Sequence, residues 1–217
     1  MLLDLLAPPS CLACGAPGAD LCTTCRRALP WLTGPRCARC GLPGRCARCP
    51  AARAAFDAAW APVAYAGPVP ALVSSLKARR ARRAAEPMVA AMACAPSGLL
   101  GAGSALVPVP TAHERARARG FDQATILAAG LAARGVGTAA AILERGGPAT
   151  RQRGAGRRER LAPGRLEVGV RAGATVPVRC VLVDDVHTTG ATFHACARAL
   201  RRAGAERVVA LAYARTL

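Results

Sequence analysis

CVLVDDVHTTGAT, residues 180–192, is the stretch whose reading decides the fold. It opens on Val181, Leu182 and Val183, an apolar run typical of a buried strand, so a strand is expected over 179–183. Asp184 and Asp185 follow at the expected C-terminal end of that strand, where α/β sheets place their ligands. His187, Thr188, Thr189, Gly190, Ala191 and Thr192 then lead into a helix expected over 191–203. Adjacent carboxylates can accept hydrogen bonds from two neighbouring ribose hydroxyls. The Thr-Thr-Gly-Ala-Thr turn offers backbone N–H groups and hydroxyls at a helix N-terminus, a place for a dianionic phosphate. Gly190 lets the backbone come close to such a group. One loop would then hold a ribose and its 5′-phosphate. A helix cap with two incidental acids is the plainer alternative, and it leaves the combination of paired acids and a hydroxyl-rich turn unexplained.

Outward from this stretch the pattern alternates. Strands are expected over 106–109, 136–143 and 207–212, with a helix over 123–134. A further strand lies within 56–65, and Gly67 and Pro68 turn the chain into a helix over 70–85. Strands alternating with helices imply an α/β fold with a parallel sheet and right-handed crossovers. Between Arg145 and Arg165 no apolar period is visible; seven Arg and several Gly read as a mobile basic loop.

The first 49 residues differ in kind. They hold eight of the eleven cysteines as four C-x-x-C pairs: Cys11/Cys14, Cys22/Cys25, Cys37/Cys40 and Cys46/Cys49. Two such knuckles supply a tetrahedral set of four thiolates. The gaps of seven, eleven and five residues point to two ribbons in series, each with one zinc, although an interleaved pairing also satisfies the spacing. Disulfides would need an oxidising compartment, and iron–sulfur ligation favours other spacings. A segment this short with few large apolar residues cannot fold on a core alone, so the metal would be structural. Cys94, Cys180 and Cys196 stand apart in apolar surroundings and are expected in the core. The division expected is a zinc-ribbon module at 1–50 and an α/β domain at 56–217, joined by an Ala-rich link.

The 217 residues carry a formal charge of +18 and are 53% hydrophobic, with few aromatics. The charge admits nucleic-acid binding, since clustered Arg neutralises phosphates, and equally a compositional bias toward Arg. Among thirty basic residues Lys77 is the single lysine, which marks a place where a compact ammonium is wanted. Lys77 begins a run of five positive charges in seven residues, through Arg79, Arg80, Arg82 and Arg83. That run is either a solvated helix face or a rim for anions or single-stranded nucleic acid. Residues 87–112 carry no charge, but Pro and Gly interrupt them throughout, so a helix end, a loop and a buried strand are expected there rather than a membrane span. The start of the chain, with Asp4 and no basic flank, does not read as an export signal, and a cytoplasmic location is expected.

The 180–192 segment resembles the loop that binds phosphoribosyl pyrophosphate (PRPP) in type I phosphoribosyltransferases. The whole chain resembles one branch of them, the ComF family linked to bacterial competence and DNA uptake. The cysteine head is similar to that family's double zinc ribbon, and Leu76-Lys77 after Tyr65 and Gly67 matches its helix. Val107-Pro108-Val109-Pro110, Arg115 and Arg119-Gly120-Phe121-Asp122-Gln123-Ala124 look like its second signature. Thr150, Gln152 and Arg160 fit its mobile loop. Asp122 departs from the family's usual Asn, and Leu161, Ala162 and Leu166 depart from its loop pattern.

The resemblance implies PRPP bound with Mg²⁺, a C1–O bond broken through an oxocarbenium-like transition state, and a nitrogen acceptor that takes the sugar. Asp184 and Asp185 would hold the ribose, and Thr188, Thr189, Gly190, Ala191 and Thr192 the 5′-phosphate. The turn at Pro110 would face the pyrophosphate, with Arg115, Arg119 and Lys77 as charge partners. It equally admits a non-catalytic PRPP- or nucleotide-binding adaptor that handles single-stranded DNA beside DNA-uptake proteins. Against DNA handling by the head stands its lack of stacking aromatics other than Trp31.

Overall fold

A computed structural model describes residues 9–78, 81–100, 103–111, 121–146 and 167–217. The chain is a zinc-ribbon module followed by an α/β unit with a parallel central sheet. The α/β unit begins with β1 (Ala58–Trp60) and β2 (Val63–Ala64). After the short head helix α1 (Thr23–Arg27), the helices are α2 (Val69–Leu76), α3 (Ala81–Met92), α4 (Gln123–Ala133) and α5 (Ala191–Arg202). The remaining strands are β3 (Ala105–Pro108), β4 (Thr138–Ala139), β5 (Leu143–Arg145), β6 (Val168–Val170), β7 (Arg179–His187) and β8 (Arg207–Arg215).

The sheet runs β1-β8-β7-β3-β4, with β2 continuing beside β8, and all of its pairs are parallel. Strand residues alternate between two packed faces, as the pleat requires. Leu106, Val181, Val183, Val209 and Leu211 meet Leu72, Leu76, Met88, Met92, Leu127 and Leu131 of α2, α3 and α4. On the other face Val107, Leu182, Val208 and Ala210 meet Phe193, Cys196 and Leu200 of α5. The crossover after β3 leads outward to β4, while the crossover after β7 leads the opposite way to β8. The gap between the C-terminal ends of β3 and β7 is therefore the switch point of the sheet, where open α/β sheets bind ligands.

Several expected boundaries move. The single helix over 70–85 is two: α2 closes at Lys77, whose amide donates to Ser74 O at 3.0 Å, and Ala78 N donates to Ser75 O at 3.2 Å. The basic run is thus not one continuous helix face. Pro87 lies inside α3 instead of ending a helix. An interior proline costs about 3 kcal/mol, and the buried Met88, Val89 and Met92 just beyond it supply the burial that offsets this. The strand expected over 136–143 is replaced by the short β4 and by β5, which pairs antiparallel with β6 in a separate small sheet. The strands over 179–183 and 207–212 run on to His187 and Arg215, because each gives the other a partner through His187↔Arg215. Cys180 and Cys196 are buried, but Cys94 is exposed, with its thiol toward Ala90 O, and is not a core residue.

The ribbons straddle the β1 edge of the sheet. Cys11, Leu12, Leu21 and Leu29 of the first join the α2–α4 face, while Cys40 of the second joins the α5 face. Backbone bonds seal the junction: Leu32 N to Pro62 O at 2.8 Å, Ala64 N to Pro30 O at 2.9 Å and Ala59 N to Ala38 O at 3.1 Å. Gly41, with φ +72°, lies so close to β1 that a Cβ there would stand 3.0 Å from Ala59 O. The head thereby covers an edge strand that would otherwise present unpaired backbone groups. Among the described residues no helix is long and apolar enough to cross a membrane.

Candidate functional site

The eight ribbon cysteines gather as the serial pairing requires: Cys11, Cys14, Cys22 and Cys25 in one quartet, Cys37, Cys40, Cys46 and Cys49 in the other. Within each quartet all sulfur atoms lie within 4.8 Å of one another. The Cys14–Cys22, Cys37–Cys49 and Cys40–Cys46 separations are 3.7, 3.8 and 3.5 Å. A tetrahedron with Zn–S bonds of about 2.3 Å has edges near 3.8 Å. Disulfide sulfurs would stand about 2.05 Å apart.

One thiol in each quartet is prepared to ionise. Burial opposes ionisation of Cys11, but the amides of Cys22, Cys14 and Ala13 outweigh it and bring its pKa down to about 6. The amide of Cys40 is the main cause that lowers Cys37 to about 7. In the first quartet Cys25 is pushed up to about 12, chiefly by its contact with Cys14. The geometry and donor set fit structural zinc in both quartets, with all four corners taken by sulfur.

At the switch point, β7 carries Asp184 and Asp185 past the end of β3, whose pairing stops at Pro108↔Val183 and a last bond from Val109 N to Val183 O. Beyond that point β7 pairs only with β8, so its other side opens toward Pro110 and Thr111. Asp185 is buried, and Lys77 Nζ at the end of α2 stands 2.8 Å from its Oδ2. Among the described residues, this ammonium is the one partner found for Oδ2. Asp184 is half-buried, and Asp185 N donates to its Oδ1 at 2.8 Å. Burial, then the charge of Asp185, hold the Asp184 carboxyl well above the ordinary range, and Lys77 pulls the other way.

The turn that follows is exposed at Thr188, Thr189 and Ala191, with Thr192 half-buried and Gly190 buried. Gly190 caps α5 at φ +81°, and a Cβ on it would meet His187 Nε2 at 2.8 Å. Thr189 Oγ1 accepts from Ala191 N at 3.3 Å. The amides of the first turn of α5 have no partners within the helix, as at any helix N-terminus. His187 is wedged edge-on between Phe56 and Phe193, at ring separations of 5.9 and 5.1 Å. Burial, then the nearby Arg215, lower its pKa to about 4, so the ring is neutral near pH 7.

Across the gap Asp122 joins two segments. Its Oδ1 accepts from Thr125 N at the head of α4 (3.2 Å), and its Oδ2 accepts from Thr111 N (3.1 Å). Pro110 and Thr111 are half-buried on this side. Arg115 and Arg119 lie outside the described residues, as do Arg79, Arg80, Thr150, Gln152, Arg160 and the basic stretch from 147 onward. Arg82 is exposed, whereas Arg83 is bound to Asp20 of the first ribbon through Nε at 2.7 Å and through Nη2.

Two residues of the site were not marked out by sequence reasoning. Asp122 reads there as a departure from a pattern, and nothing in the sequence announces its link to Thr111. Arg215 closes an apolar strand and looks like a solvated terminus, yet it is buried beneath the phosphate-type turn. The unbroken apolar run from Val208 to Ala214, closed by Arg215, was the available signal.

Residues 2–57 match the family described as the double zinc ribbon domain. That match spans both cysteine quartets and stops before the sheet. Compared with curated protein sequences, the chain has no significant match.

Proposed function

We propose that the α/β unit binds PRPP, or a related 5-phosphoribosyl compound, in the gap between β3 and β7, and transfers the phosphoribosyl group to a nitrogen acceptor. One observation carries this reading. A buried carboxylate oxygen of Asp185, partnered among the described residues by the Lys77 ammonium alone, lies on the same strand end as the hydroxyl-rich turn that heads α5. A ribose hydroxyl would add a second donor to that carboxylate, and the 5′-phosphate would lie in the turn.

Thr188, Thr189 and Thr192 would offer hydroxyls to the phosphate, with Gly190 giving room. Lys77 would place a point charge near the anionic ligand. Were Mg²⁺ bound with the ligand, Asp184 and Asp185 would be the oxygen donors to hold it, and it would neutralise charge on the leaving group. In the transfer, the C1–O bond breaks with its electron pair going to pyrophosphate. The acceptor nitrogen bonds to C1 and gives up its proton to the departing pyrophosphate or to solvent. Arg115 and Arg119 are assigned to the pyrophosphate by family resemblance alone.

The test is calorimetry of PRPP with Mg²⁺, together with pyrophosphate release in the presence of candidate nitrogen acceptors. Binding with release supports transfer. Binding without release, whatever the acceptor, favours the adaptor reading, in which the site senses the ligand and single-stranded DNA lies on the basic surface. Of the four Arg proposed for that surface, Arg82 is exposed and Arg83 is engaged by Asp20.

A further inference from the structure

Arg215 is 6% exposed, and among the described residues no carboxylate pairs with it. A buried guanidinium needs its hydrogen bonds and a counter-charge near at hand. Its bonds go to carbonyls and a hydroxyl. Nη1 donates to His187 O at 2.8 Å, to Thr188 O, and to Thr216 Oγ1 at 3.3 Å, while Nε donates to Cys40 O at 3.3 Å. One cation therefore holds the backbone of the phosphate-type turn with one side and the backbone of a zinc-knuckle cysteine with the other. Thr216 N adds a bond to His187 O at 3.1 Å. Cys40 is among the groups whose charge acts on Arg215, and a zinc ion held by its quartet of thiolates would carry a net charge of about −2.

We propose that Arg215 is a positioning residue that makes the shape of the 188–192 turn depend on zinc in the second quartet, Cys37, Cys40, Cys46 and Cys49. With that site filled, the cluster's negative charge and the Cys40 carbonyl keep the guanidinium in place. The guanidinium in turn fixes the carbonyls of His187 and Thr188, so that the amides after them face outward to a phosphate. With the second site empty, the buried cation loses its counter-charge and the turn loosens. The first quartet packs on the opposite face against α2 and α3, and among the described residues no hydrogen bond joins it to the turn. The consequence for ligand affinity rests on the phosphoribosyl reading above, whereas the link to the turn does not.

The experiment uses the full zinc-loaded chain, Cys46→Ser to weaken the second site, Cys14→Ser to weaken the first, and Arg215→Met. Amide hydrogen exchange is followed over 188–192, and ribose 5-phosphate affinity is measured by calorimetry. A hydrogen bond to a charged group is worth about 1.5–3 kcal/mol, so exchange at Ala191, whose amide is bonded within the turn to Thr189 Oγ1, should accelerate roughly tenfold or more in Cys46→Ser and in Arg215→Met. It should be unchanged in Cys14→Ser, and the Cys46→Ser/Arg215→Met double variant should lose no more than Arg215→Met alone. Should Cys46→Ser not fold, Cys46→His keeps a metal ligand while removing one negative charge, and exchange must shift in the same direction. Unchanged exchange in the second-site variants, or fully additive effects in the double variant, overturns the link. Absence of ribose 5-phosphate binding to the unaltered protein overturns the phosphoribosyl reading, while the exchange data still decide the role of Arg215.

Discussion

The Lys77 ammonium stands 2.8 Å from Asp185 Oδ2, joining the end of the second helix to the end of the seventh strand across the mouth of the sheet. A surface lysine extended along its own helix would not make this contact. Lys77→Ala should weaken PRPP binding roughly ten- to hundredfold, the range for one charge-assisted contact, without loss of the fold. Lys77→Arg should restore binding only in part, since the planar fork is broader than an ammonium. Calorimetry on both variants checks this, and wild-type affinity in both would remove Lys77 from the site.

Purified protein should contain about two zinc ions per chain, one for each quartet, by elemental analysis without added metal. Protons compete with zinc for the thiolates, so metal affinity falls as pH falls. Metal content after dialysis across pH 4.5 to 7.5 should fall as pH falls, and a content that ignores pH would contradict thiolate ligation. A ratio near one at pH 7.5 would leave a single working site.

Asp184 sets a pH dependence of opposite sign to that of a salt-bridged acid. Its folded pKa lies above the unfolded value, because burial and Asp185 disfavour its charge. The folded state therefore binds the proton more tightly, and stability falls as pH rises from the ordinary carboxylate range through the raised pKa. Asp184→Asn should raise the melting temperature of the ligand-free protein at neutral pH while abolishing Mg²⁺-dependent PRPP binding. A variant less stable than the parent at pH 7 contradicts the burial account.

His187 works in the other direction. A neutral imidazole with a folded pKa of about 4 favours the folded state fully above the unfolded value, and that contribution is lost as pH falls from about 6.5 to about 4. At 1.36 kcal/mol per pH unit the loss is on the order of 3 kcal/mol. Denaturant unfolding across this window should show a shallower pH slope in His187→Gln than in the parent. Equal slopes would mean that His187 is not buried neutral.

The legible parts of this fold are local. The apolar run before Asp184, the turn at Gly190 and the four knuckles each announce themselves within a dozen residues, because strand burial, a helix N-terminus and metal ligation all act over that span. The gaps pointed to a serial pairing of the knuckles and left an interleaved one open, and the structure forms the serial quartets. The less legible parts depend on distant partners. Pro87 stays inside a helix because Met88 and Met92 reach a core built by other elements. β7 and β8 run past their expected ends because each extends the other. Arg215 could not be read as buried, since its partners, Cys40 and Thr188, lie 175 and 27 residues away. Nor does the sequence reveal that the two ribbons pack on opposite faces of one sheet.

The central claim is that the gap between the third and seventh strands holds a phosphoribosyl group. Isothermal calorimetry of PRPP with Mg²⁺, on the zinc-loaded protein and on the folded Asp184→Asn/Asp185→Asn variant, tests it most directly. The account predicts saturable binding near one ligand per chain that requires Mg²⁺ and disappears in the double variant. No binding to the parent, or equal affinity in the folded double variant, would contradict it.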